Sequence, residues 1–154
     1  MNAKTEMNVL PRAATAKGLV RRLSWVVPLA VVAATAADLG LYYSAGILFP
    51  EVTDWTGAGP VQILGANVVY FVVGAVVLAV VERLSRRPAR DFVVLSAVGL
   101  VLSFGLPISA GLGFGAPGAP VASAATVITL SLLHVASYAV GVPMLIRMAL
   151  TRKD

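Results

Sequence analysis

Residues 61–91 read VQILGANVVYFVVGAVVLAVV and then ERLSRRPARD, and the break between the two strings decides the fold. Val61 to Val81 carries no charged side chain. As a helix it would run about 31 Å, enough to cross a hydrocarbon core about 30 Å thick. The decapeptide after it holds Arg83, Arg86, Arg87 and Arg90, and so charged a segment stays in water. It is also short, which makes the apolar runs on either side antiparallel neighbours.

Three more runs read the same way: Leu23–Phe49 before it, Phe92–Ala110 and Val121–Ile146 after it. All twelve Lys and Arg residues fall on one side of this alternation. Five precede the first run (Lys4, Arg12, Lys17, Arg21, Arg22), four lie in the 82–91 turn, and three close the chain (Arg147, Arg152, Lys153). The segments after the first and third runs have none. Lys/Arg bias in short loops orients membrane helices, so both termini and the central turn are expected in the cytoplasm. The fold class is all-α: an integral membrane four-helix bundle with helices over 23–49, 61–81, 92–110 and 121–146. Residues 1–22 are expected to form a disordered basic cytoplasmic tail and 147–154 a second cytoplasmic tail.

Composition agrees. The chain is 58% hydrophobic and 12% charged, against about 45–50% and about 25% in soluble domains. A net charge of +5 would suggest nucleic acid in a soluble protein, but here the positive charge hugs the helix ends, where orientation and anionic headgroups account for it. No nucleic-acid partner is expected. The absence of cysteine excludes disulfides, thiolate metal sites, iron–sulfur clusters and cysteine nucleophiles. Nine Arg against three Lys, with abundant Ala, Val and Gly, point to a GC-rich bacterial genome and an inner (plasma) membrane.

The first run has a rival reading as a secretory signal, with Ala34-Thr35-Ala36 as a cleavage site and Arg21-Arg22 as a weak twin-arginine pattern. Cleavage there would strand Leu39–Phe49 as an exposed apolar tail, so a retained helix is expected. Trp25 belongs at the cytoplasmic interface, and Pro28 falls in the first turns of the expected helix, where its missing N–H costs little.

Asp38 is the most telling residue. An acid near the middle of a membrane helix costs about 2.5–3.5 kcal/mol on insertion scales. Once inserted, it must find partners or take up a proton. His134, the only histidine, occupies the fourth run. At about 1.5 Å per residue, Asp38, Asn67, Ser103 and His134 all fall within about 6 Å of the centres of their runs. Each helix thus supplies one residue to an intramembrane polar layer, in which Asp38 and His134 are the natural pair and Asn67 and Ser103 complete the hydrogen bonds. The layer reads in two ways: as a buried clamp that fixes register, or as a proton-responsive or small-ligand site.

Other patterns carry less. Haem bis-histidine ligation needs two histidines, and one His with one Asp makes no metal site, so neither cofactor nor metal is expected. Gly113–Gly118 (GFGAPG) matches G-x-G-x-x-G without the strand before it that the dinucleotide fingerprint requires, and reads as a loop. Glu51 and Asp54 read as solvated acids. Arg83, Arg86, Arg87 and Arg90 lie in reach of anionic lipid, at about 1 kcal/mol each. Small residues four apart (Ala33/Ala37, Ala36/Gly40, Gly99/Ser103, Ser137/Gly141) allow close helix approach, either within the bundle or in a homo-oligomer or larger membrane complex.

The basic tail, the Ala-rich first helix, the ERLSRRPARDF turn, the glycine/proline loop and the fourth helix with Ser131, His134, Ser137 and Pro143 together resemble a family. It is one of small four-helix bacterial membrane proteins of unknown function, common in actinobacteria. The resemblance spans about residues 20–149 and implies a membrane bundle, with no activity, cofactor or substrate to carry over. The leading expectation is a structural or accessory membrane protein without catalysis. The alternative is a small transporter, channel or proton-linked sensor that uses the Asp38–His134 layer. A water-accessible cavity reaching that layer would favour the alternative.

Overall fold

The computed structural model describes residues 16–115 and 117–150. Residues 1–15 and 151–154, which hold most of the two expected tails, lie outside the described residues. Six α-helices follow in order: α1 (Ala16–Leu48), α2 (Pro50–Asp54), α3 (Pro60–Leu84), α4 (Pro88–Ser103), α5 (Gly105–Gly111) and α6 (Ala124–Leu145), the last running into a π-helical turn, Ile146–Leu150. No strand occurs among the described residues. Four spans are long and apolar enough to cross a membrane: Gly18–Leu48, Pro60–Leu84, Pro88–Gly111 and Ala124–Leu150.

Local chemistry sets the boundaries. Pro50, Pro60 and Pro88 each open a helix, where a residue without an N–H loses nothing. Ser123 caps α6, its Oγ accepting from the Thr126 amide at 3.1 Å. The third span breaks between α4 and α5 at Phe104. The turn between α3 and α4 is reduced to Ser85–Arg87, because α3 runs on through Arg83 to Leu84 and α4 starts at Pro88, ahead of Arg90.

α1 begins at Ala16, ahead of the expected Leu23, so residues 16–22 are helical rather than part of the tail. Leu19, Leu23 and Val26 form one buried stripe, and Arg22 Nη1 donates to the Ala149 carbonyl at 3.3 Å. The charges at Arg21 and Arg22 conceal a helix face already packed on the π-helical turn. Pro28 consequently sits in the interior of α1, not in its first turns. Ala34 and Thr35 are buried in the bundle, and α1 runs on through the suggested cleavage site.

α1 packs most extensively on α6 and next on α3. α3 packs on α4, while α4 and α5 pack on α6. α3 and α6 meet through side chains, Phe71 against Gly141 and Asn67 with Ser137, while their backbones stand apart over most of their length. Ala16, Leu150 and the arginine-rich turn share one end of the bundle, the arginine end; residues 49–59 and the described residues of 112–123 share the other, the loop end. Large apolar side chains such as Val61, Val72, Val76, Val101 and Leu102 are exposed along the spans, while Asp38 and Asn67 are only 2% exposed. That inversion suits hydrocarbon as the surrounding solvent.

The loop end is built. Trp55 is buried and its Nε1 donates to the Pro120 carbonyl at 2.7 Å. Tyr42 donates to the Ala58 carbonyl at 3.2 Å, and the Ala122 amide donates to the Ala110 carbonyl at 3.1 Å. Gly113 and Gly118 take φ of 84° and 80°, the left-handed region that glycine enters without strain. The described residues of the GFGAPG segment thus lie outside any helix, in turns and bends.

Candidate functional site

Three helices each present a polar residue with a buried neighbour one turn away on either side. On α1, Asp38 lies between Ala34 and Tyr42. On α3, Asn67 lies between Ile63 and Phe71. On α6, Ser137 lies between Leu133 and Gly141, and all six flanking residues are buried. Residues four apart share a helix face, so the inward face of each helix carries its polar group to one place. A polar cluster thereby separates the apolar core of the arginine end from that of the loop end.

Asn67 Nδ2 donates to Asp38 Oδ2 at 2.8 Å and to Thr35 Oγ1 at 3.1 Å, which uses both amide hydrogens. Ser137 Oγ lies 2.6 Å from Asp38 Oδ2 and 2.8 Å from Asn67 Oδ1. A hydroxyl has one proton, so Ser137 donates to one of these oxygens at a time. When Asp38 carries a proton, the three groups form a directed chain from carboxyl to hydroxyl to amide oxygen. When it is ionised, two acceptors share the single hydroxyl hydrogen. Asp38 Oδ1 is buried without a hydrogen-bond partner.

Of the four residues of the expected layer, Asp38 and Asn67 are hydrogen-bonded to each other, while His134 is not the hydrogen-bond partner of Asp38. Its Nδ1 lies 2.7 Å from the Leu130 carbonyl. A carbonyl only accepts, so in the neutral ring Nδ1 holds the hydrogen and Nε2 is an acceptor. Tyr70 and Phe104 stand edge-on to the imidazole, with ring centroids at 5.7 and 6.5 Å. Ser103 Oγ donates to the Leu100 carbonyl of its own helix at 2.7 Å. Ser103 borders the same space as Tyr70 and His134 and makes no hydrogen bond to Asp38. Ser137 and Thr35 are the members missed as polar partners; the Ser137/Gly141 spacing marks the first only as a small residue, and Thr35 figures only within the suggested cleavage site.

Beside the cluster lies a cavity of about 690 Å³ between α3, α4–α5 and α6. Asp38, Asn67, His134 and Ser137 line it at mid-length, and Gln62, Tyr70, Ser96, Ser103, Ser109 and Tyr138 add polar atoms to a mostly apolar wall. Trp55 and Phe114 stand at its loop end, Phe92 and Leu145 at its arginine end. A volume of this size falls within the about 300–1,000 Å³ of small-molecule sites, which are mostly apolar with a few placed polar groups. Among the described residues no group of three or more His, Asp or Glu gathers for a metal ion. Arg83, Arg86, Arg87 and Arg90 are all exposed at the arginine end, away from the cavity.

A model of the family of unknown function DUF6069 matches residues 15–151, nearly the whole chain, and the chain belongs to that family. No curated protein and no solved structure matches it.

Proposed function

We propose that this member of the family is a non-catalytic, multi-pass protein of the plasma membrane that binds a small molecule in the cavity between α3, α4–α5 and α6. One observation carries the reading: a cavity of about 690 Å³ reaches Asp38, a carboxyl that keeps an unpartnered oxygen in the middle of a membrane span. A clamp that only fixed helix register would satisfy its polar atoms and fill the space beside them. Intramembrane acids on cavities mark binding or transport pathways. The cavity wall offers hydrogen bonds from hydroxyl, amide, imidazole and carboxyl groups set in apolar surroundings, which supports binding. The twelve basic residues support an orientation with both termini and the Ser85–Arg87 turn in the cytoplasm. There Arg83, Arg86, Arg87 and Arg90 meet anionic headgroups of the surrounding lipid.

The cysteine-free sequence gives a direct test. Ser96→Cys places a thiol on the cavity wall and Val80→Cys one on the lipid-facing surface. Methyl methanethiosulfonate, a small neutral reagent, is expected to modify Ser96→Cys in native membranes at a rate approaching that of the exposed loop position Thr56→Cys, and Val80→Cys far more slowly. A Ser96→Cys thiol as inert as Val80→Cys would mean a closed, dry bundle and would remove the binding reading.

A further inference from the structure

The walls of the cavity restrict what it can hold. Asp38 is the one acidic side chain on them, and no Lys or Arg joins it among the described residues. His134 presents an acceptor at Nε2 in its neutral form, because Nδ1 is engaged by the Leu130 carbonyl. The unsatisfied oxygen of Asp38 is likewise an acceptor when the carboxyl is ionised. The site therefore has no positive charge of its own, its donors being neutral hydroxyl and amide groups. Aromatic rings surround it: Tyr70, Phe71, Phe92 and Tyr138 all border the cavity, and ring faces attract cations, most strongly where water is excluded. A buried carboxylate without a counter-charge is costly, and a ligand that brings one positive charge on an apolar body relieves that cost.

The route is also drawn. Trp55, tied to Pro120, stands at the loop end, and the buried Phe92 and Leu145 stand at the arginine end. α5 packs on α6 and on the end of α4 without extensive contact to α3. Residues that border the cavity and are also exposed, Ala66 and Val73 on α3 with Leu95, Gly99 and Leu106 on α4–α5, mark a mouth on the side of the bundle. That side lies within the apolar spans and faces hydrocarbon.

We propose that the cavity binds a lipophilic organic monocation, which enters from the bilayer between α3 and α4–α5 and pairs with Asp38. This rests on the binding reading above and adds the charge and the solubility of the ligand.

The test uses the full chain in lipid nanodiscs, with empty nanodiscs subtracted, and two ions of nearly equal size and opposite charge. Tetraphenylphosphonium is expected to bind saturably and tetraphenylborate is not. Tetramethylammonium, a cation without an apolar body, is expected not to compete. Asp38→Asn should weaken tetraphenylphosphonium binding at least tenfold. Gly99→Phe, which puts a ring into the cavity from a position where an added Cβ meets nothing within 4 Å, should abolish it without touching the carboxyl. Circular dichroism and size-exclusion profiles check that each variant is folded. If Asp38→Asn does not fold, the matched ions on the unaltered chain still decide the charge and Gly99→Phe the place. Equal binding of both ions, or full binding by a folded Asp38→Asn, overturns the cation assignment. Absence of saturable binding by either ion also overturns it. In each of these cases a reactive Ser96→Cys leaves the binding cavity itself standing, so the two failures are distinguishable.

Discussion

Ser137 Oγ lies 2.6 Å from Asp38 Oδ2, although 99 positions separate the two residues. With Asn67, which donates to the same carboxylate oxygen at 2.8 Å, this contact ties the first, second and fourth spans at one depth. The third span contributes no hydrogen bond to the carboxyl; it faces the cluster across the cavity. An arrangement of three helices closed around an acid and a fourth standing off explains why the bundle holds a fixed register and a large internal space together.

The first prediction concerns that tie. Asn67→Ala removes both donors to Asp38 and Thr35 and should destabilise the protein by about 1–3 kcal/mol, the usual cost of stranding buried polar groups. Asp38→Ala should have a cost of the same order. The double variant should be less unstable than the summed singles by about 0.5–1.5 kcal/mol, kept modest because chains unfolded in the membrane also find partners. The Asp38/His134 cycle should couple more weakly, since His134 bonds its own helix. Bicelle unfolding of both cycles measures this; a larger coupling for Asp38/His134 would contradict the geometry.

Much of this was legible in the sequence, for definite reasons. Apolar length and the placement of arginine specify the four spans, because the bilayer imposes both. Asp38 and Asn67 stand out because a polar residue in hydrocarbon needs a partner. Ser137 does not stand out, since serine is tolerated on membrane helices with its hydroxyl bonded to its own backbone, as Ser131 bonds the Val127 carbonyl at 2.8 Å. Titratable chemistry draws attention to His134 instead, three residues away. Which side of α6 faces α1 depends on tertiary packing, and spacing alone does not carry it. The helical start at Ala16 was hidden for a similar reason: charge marks where a helix leaves the membrane, not where it ends. The cavity has no sequence signature, because it arises from α3 and α6 standing apart.

Gly141 yields the second prediction. The Phe71 ring lies against it so closely that an added Cβ would collide with the ring edge. Gly141→Ala should therefore displace Phe71, and Gly141→Val more so, with overpacking costs of about 1–3 kcal/mol. Phe71→Leu combined with Gly141→Ala should recover part of the loss. Thermal unfolding in detergent checks the series, and an unchanged midpoint for Gly141→Val would mean that α3 and α6 are further apart than described.

The loop end gives the third. Trp55→Phe keeps a ring beside Ala110 and Ala122 but removes the bond to the Pro120 carbonyl, for an expected cost of about 1 kcal/mol. Trp55→Ala also removes the buried ring, at about 3–5 kcal/mol. Because Trp55 stands at the end of the cavity, Trp55→Ala should in addition open Ser96→Cys to a bulky, charged methanethiosulfonate that the route taken by the small neutral reagent does not admit, and Trp55→Phe should leave that rate nearly unchanged. Equal rates in Trp55→Ala and the unaltered loop would mean that Trp55 does not close that end.

The last prediction fixes orientation. Thr56 and Pro117 are exposed at the loop end and Arg86 is exposed at the arginine end, so a single cysteine at each reports one face of the membrane without disturbing the core. A membrane-impermeant maleimide added to intact cells should label Thr56→Cys and Pro117→Cys, and should reach Arg86→Cys only after permeabilisation. The reasoning is the bias of Lys and Arg alone: among the described residues the arginine end carries every basic one, and the loop end carries only the acids Glu51 and Asp54. The reverse pattern would invert the protein in its membrane, and the arginines would then need a role other than cytoplasmic anchoring. Labelling of Thr56→Cys without Pro117→Cys would mean that the two loops lie on opposite faces. That would contradict the packing of Trp55 on Pro120, since their 2.7 Å hydrogen bond requires both loops at one end.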